Sequence, residues 1–132
     1  MHCWWTIDEK GDKMKLRLKY IKDAQDIQKE RIVLRAIESC NIGVYAIAKS
    51  RNVDDNYIDA ALPMIYWLPE KNVNQGDYIV LYSKNGHSSE KRNDDGSKSY
   101  FFYWGKDTPI FNPANHDCAI IFEINEFKSI DC

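Results

Sequence analysis

From Lys13 to Tyr20 the chain alternates without a break, with Lys13, Lys15, Arg17 and Lys19 standing between Met14, Leu16, Leu18 and Tyr20. A period of two sends successive side chains to opposite faces, so this stretch predicts a half-buried strand with a basic outward side. The segment from Asp23 to Glu38 admits two readings. Asp23 could cap a helix carrying Ala24, Ile27 and Leu34, but the run Arg31-Ile32-Val33-Leu34-Arg35-Ala36-Ile37 has the β-branched content of a strand, with residues 23–29 as the preceding turn. The strand is preferred. Asn41-Ile42-Gly43 reads as a turn, Val44 to Ala48 as a strand and Lys49 to Asn56 as a polar loop. Pro63 and Pro69 bracket Met64 to Leu68 and keep that apolar segment from growing into a helix. Asn74-Gln75-Gly76-Asp77 is a turn, and Tyr78 to Tyr82 is the strand it feeds. The polar stretch 87–99 predicts a mobile loop, after which Tyr100 to Trp104 and Cys118 to Ile124 supply the last apolar segments. Strand follows strand at short spacing with no sustained helical period, which predicts an all-β sandwich or barrel.

Composition adds scale. A chain of 132 residues is the size of one domain, so residues 1–132 are expected to share one core, with 1–12 as an N-terminal extension. Eight Tyr and four Trp suit pleated, half-buried surfaces. A net charge of -2 supplies no global field toward a phosphate backbone or an anionic membrane, so nucleic-acid binding would need a local patch. No apolar run approaches the roughly 20 residues of a spanning helix, and the expected location is the cytoplasm, with no membrane partner. Cys3, Cys40, Cys118 and Cys132 are scattered without a Cys-x-x-Cys pair, and free thiols are expected.

The order of segments resembles the lamin tail domain, an immunoglobulin-like β-sandwich, over roughly Lys15 to Ile124. Leu16 to Ile21 stands where that family has its opening strand, and Glu30-Arg31-Ile32-Val33-Leu34 is similar to its E-x-V-x-L strand. Gly43-Val44-Tyr45 is similar to the family's Gly-aromatic pair, with the aromatic one place later. Trp67-Leu68-Pro69 followed by Val73-Asn74-Gln75-Gly76-Asp77-Tyr78-Ile79-Val80-Leu81 resembles its aromatic-x-P and L-x-P-G-x-x-V-x-L marks, with Gln75 in place of proline. The family's closing asparagine and aspartate are echoed by Asn112, Asn115 and Asp117 before Cys118 to Ile121. The resemblance implies an immunoglobulin-like sandwich of short antiparallel strands and an interaction module without a catalytic site.

His116-Asp117-Cys118 contains the residue types of a thiol nucleophile, yet neighbours in a strand face opposite ways and cannot normally meet. His2, Cys3, His116 and Cys118 could arithmetically assemble a tetrahedral metal site, but an ordinary flexible N-terminus beside a core cysteine accounts for them better. Asp94-Asp95-Gly96 lacks the alternating ligands of a calcium loop. No catalytic, cofactor-binding or metal-binding residue is therefore assigned. The expected contact surface comprises Trp4 and Trp5 as anchoring groups, the basic row Lys13, Lys15, Arg17 and Lys19, and the aromatic set Tyr100, Phe102 and Trp104. For the basic row the simpler reading is an edge strand whose lysines block edge-to-edge pairing. The expected partner is a protein, either another chain or a second copy. The alternatives are a nucleic acid held by the basic strand and aromatics, and an immunity or antitoxin-type inhibitory role.

Overall fold

Apolar residues at every second position need a second layer to cover them, and two sheets provide it. The computed structural model describes residues 4–6, 14–54, 57–59 and 64–132. One sheet runs in the order β10 (Ser89–Arg92), β11 (Lys98–Tyr103), β9 (Tyr78–Tyr82), β3 (Arg31–Ala36) and β2 (Leu16–Lys22). The other runs β1 (Trp4–Thr6), β6 (Tyr57–Asp59), β5 (Tyr45–Asp54) and β12 (Asp117–Glu123), with β7 (Met64–Trp67) also paired to β5. A short ladder joins β4 (Cys40–Asn41) to β8 (Asn72–Val73). The expected all-β sandwich is what forms.

Leu16, Ile32, Leu34, Ile79, Leu81, Tyr100 and Phe102 project inward from the first sheet and meet Tyr45 and Ile47 from β5. Ile42, Leu68, Val73, Ile110 and Phe111 on the connections close the ends of the core. Burying each such side chain stabilises the fold by about 1.5–3 kcal/mol. The segment with two readings is a strand: β3 begins after turns that occupy residues 23–29.

Glu30, just before β3, is fully buried and accepts hydrogen bonds from four donors. Ser83 Oγ donates to Oε1 at 2.6 Å and Ile110 N at 2.6 Å, while Gln25 N and Phe111 N donate to Oε2 at 2.8 and 3.2 Å. One carboxylate thus ties the turn before β3, the end of β9 and the 110–111 segment together, which offsets the cost of burying its charge. Gly76 turns the chain into β9 at φ +90, and a Cβ on Gly43 would lie 2.8 Å from the backbone of Glu70. A positive φ in one case and a close backbone approach in the other require glycine there.

Five expectations change. The alternation of β2 breaks at a bulge: Leu18 pairs with Leu34 but Tyr20 with Val33, so Lys19 is the extra residue. Tyr20 consequently turns outward, 53% exposed, and Ile21 turns in. The stretch 49–56 expected as a loop is largely strand, since β5 extends to Asp54. Within 87–99, also expected as a loop, β10 forms a hairpin with β11 around a turn at residues 93–97, fastened by Asn93 N–H to Ser97 O at 2.7 Å. Backbone pairing carries that strand, since all four of its side chains are exposed and none signals it in sequence. Finally, β11 lies between β10 and β9 and runs parallel to β9, an exception to the antiparallel pairing elsewhere. The N-terminal stretch expected as an extension contributes β1, which pairs with β6.

Candidate functional site

A sandwich has two outward faces, and here they differ in chemistry. On the β2-β3-β9-β11-β10 sheet, direct cross-strand partners share a face and form three outward rows. Arg17, Arg35, Tyr78 and Ser99 make the first, and Tyr20, Val33, Val80 and Phe101 the second. Lys22, Arg31, Tyr82 and Tyr103 make the third. Cations and rings interleave within these rows. The Arg31 guanidinium lies 5.7 Å from the centre of the Tyr82 ring, Lys84 Nζ 5.2 Å from the same ring, and Arg35 5.1 Å from that of Tyr78. Tyr82 in turn stacks on Tyr103 with centres 5.3 Å apart and planes 11° from parallel.

The face of β7-β5-β12 is apolar. Ala46 has Trp67 on one side and Phe122 on the other, and Ala48 has Ile65 and Ile120. Small buried residues thus form a floor between two bulky walls, and Ile65 and Trp67 are 55% and 44% exposed. Trp67 is held by its indole N–H donating to Gly43 O at 2.7 Å and by an edge-on contact with Phe127 at 4.6 Å.

The expected surface residues divide between these settings. Tyr100 and Phe102 are buried in the core, and Trp104 packs against it beside Tyr66. They do not form a contact surface. Both alternating sets of the aromatic run could have filled the core, and pairing with β9 turns this one inward and leaves Phe101 and Tyr103 outside. Lys15, Arg17 and Lys19 are exposed on or beside β2, which is an edge strand. Lys13 lies outside the described residues. Trp4 and Trp5 pair through their backbones with Asp59 and Ile58. Tyr78, Tyr82, Arg31 and Arg35 on one face, and Ile65, Trp67, Ile120 and Phe122 on the other, did not stand out in sequence. Their signal is present in strand alternation, but it becomes legible only once the inward partner of each pair is known.

The His116-Asp117-Cys118 triplet does not assemble a nucleophile. Asp117 turns to the inner side of β12, where Lys49 and Arg51 approach its carboxylate at 3.6 and 3.9 Å and Asn112 N donates to Oδ2 at 2.9 Å. Cys118 turns the other way toward Ser50, and burial together with the Asp117 charge pushes its thiol pKa up, the reverse of thiolate activation. His116 is exposed at φ +59 after a single 3-10 turn. Cys40, Cys118 and Cys132 are free thiols. Among the described residues, no three His, Cys, Asp or Glu side chains converge as a metal site. His2 and Cys3 lie outside the described residues. Asp95 caps the β10–β11 turn, accepting from the Ser97 backbone at 2.9 Å and hydroxyl at 2.6 Å. No helix among the described residues is long and apolar enough to cross a membrane. No protein-family model matches this chain, and no curated protein matches it either.

Proposed function

We propose that this chain is a non-enzymatic protein-interaction module of the lamin-tail-like type, one domain acting in the cytoplasm. The observation that carries the proposal is the apolar face of β7, β5 and β12, with Ile65 and Trp67 standing exposed over buried Ala46 and Ala48. Exposed apolar side chains grouped in one patch mark contact surfaces, and a tryptophan fixed by its own hydrogen bond is an anchor ordered before binding. The lamin-tail resemblance is supported by the roles of its marks: Glu30 ties three segments, Gly43 admits a neighbouring backbone and Gly76 makes a turn.

The test is paired charge insertion at Ile65 and Ile120, which flank Ala48. Sedimentation across a concentration series should show self-association of the parent chain that Ile65→Lys with Ile120→Lys abolishes. If the parent is monomeric, crosslinking in host cells should recover a defined partner with the parent and not with the double variant. A parent that neither self-associates nor yields a partner sensitive to these changes rules out this face as the binding surface.

A further inference from the structure

The opposite face carries chemistry that a protein-binding apolar patch does not require. We infer that the outward face of the β2-β3-β9-β11-β10 sheet binds single-stranded nucleic acid. This inference does not depend on the apolar face, which lies on the other sheet.

Charge supplies the first reason. The chain is net negative at -2, yet Arg17, Lys22, Arg31, Arg35, Lys84 and Lys91 gather on or beside this face. Against them stand Asp23, paired to Arg31 at 3.1 Å, and Asp95 near Arg35. An acidic protein with one basic sheet face has a local field suited to a polyanion that its net charge would repel.

Ring geometry supplies the second. Tyr20, Phe101, Tyr78, Tyr82 and Tyr103 occupy outward positions on three strands, and the Tyr82–Tyr103 stack, with Arg31 and Lys84 over Tyr82, forms an ordered flank to the more accessible Tyr20 and Phe101. A Cβ on Gly86 would fall 2.4 Å from Tyr103, so that ring is backed by the loop after β9 and acts as a support. Tyr20 is the most accessible of the rings, and Phe101 is partly exposed beside Val80. Bases stack on any exposed π-face, while guanidinium and ammonium groups interleaved with the rings contact the phosphates between them. An acidic protein would satisfy the cations but leave the rings without a planar partner, and a duplex keeps its bases turned away. A single strand uses both.

The edge position of β2 and β10 leaves both ends of the face open, as an extended chain crossing five strands requires. Lys22 and Lys91 stand at those two ends, both exposed. Their substitution leaves the core untouched.

The experiment is fluorescence anisotropy with labelled 12-nucleotide oligouridylate and oligothymidylate at about 50 mM salt, with a duplex and polyglutamate as competitors. The expected result is binding of one or both single strands, weakening with salt at a slope of about -0.7 per phosphate contacted. Lys22→Glu with Lys91→Glu should lower affinity at least tenfold and flatten that slope. Phe101→Leu and Tyr20→Leu, which keep apolar bulk but remove the π-face, should each lower affinity about fivefold or more with the slope unchanged. Preference between the two oligonucleotides assigns RNA or DNA. Absence of binding at 50 mM salt, equal affinity for the duplex, displacement by polyglutamate at equal charge, or indifference to the ring variants in folded protein would each overturn the inference.

Discussion

Glu30 shows how one residue can be worth several contacts. Its carboxylate accepts from Ser83 Oγ and from the backbone N–H groups of Gln25, Ile110 and Phe111, with the side chain fully buried. Removing one partner of a buried charged network orphans the others, at about 1–3 kcal/mol per unsatisfied donor. Glu30→Ala is therefore expected to lower unfolding free energy by about 3–5 kcal/mol, whereas Ser83→Ala, which leaves three donors in place, should cost about 1 kcal/mol. Urea denaturation of the two variants checks the ordering. In sequence Glu30 carries no local signal of burial, since a charged residue beside Arg31 is ordinarily read as exposed. Its partners lie 5, 53, 80 and 81 positions away, beyond the reach of any local pattern.

Strand β2 shows the limit of periodicity at the scale of one element. Alternation identified the strand and its basic side, but strict alternation would put Tyr20 in the core. Pairing with β3 inserts Lys19 as an extra residue and reverses the phase from Tyr20 onward. Deleting Lys19 is expected to be tolerated, within about 1 kcal/mol of the parent, because Tyr20 already faces Val33 and Ile21 faces Ile32. Deleting Arg17 would set Leu16 and Leu18 on opposite faces and should cost at least about 2 kcal/mol more. Thermal unfolding of both deletions checks this. The β10–β11 hairpin is the complementary case: a strand with four exposed side chains leaves no hydrophobic pattern, and its backbone hydrogen bonds cannot be seen until β11 is placed.

For the molecule as a whole, burial acts on acidic side chains in one direction. Cys40, Cys118, Tyr45, Tyr66 and Tyr100 all have pKa values raised, chiefly because burial disfavours their charged forms. In the unfolded chain these groups ionise near their ordinary values of 9.0 for Cys and 10.0 for Tyr. Above those values the unfolded chain has lost protons that the folded one still holds, so unfolding releases protons and stability falls as pH rises. The contribution of these groups to stability is expected to be full below pH 9 and lost progressively above it, read from urea midpoints at successive pH values from neutral upward. Tyr66→Phe with Cys118→Ala should flatten that alkaline fall while leaving the β-sheet spectrum at pH 7 unchanged.

The sequence by itself determined the class of fold, the positions of β3, β7, β9 and the start of β5, the edge-like basic strand and the turn at Gly76. Alternation, proline brackets and glycine turns act within a few residues, so they are readable along the chain. Tertiary structure alone decided which aromatic set of β11 fills the core, where Tyr20 points, and that an acidic chain has one cationic, ring-bearing face and one apolar face. Those outcomes follow from cross-strand register between segments distant in the chain, where a shift of one residue exchanges the inner and outer faces.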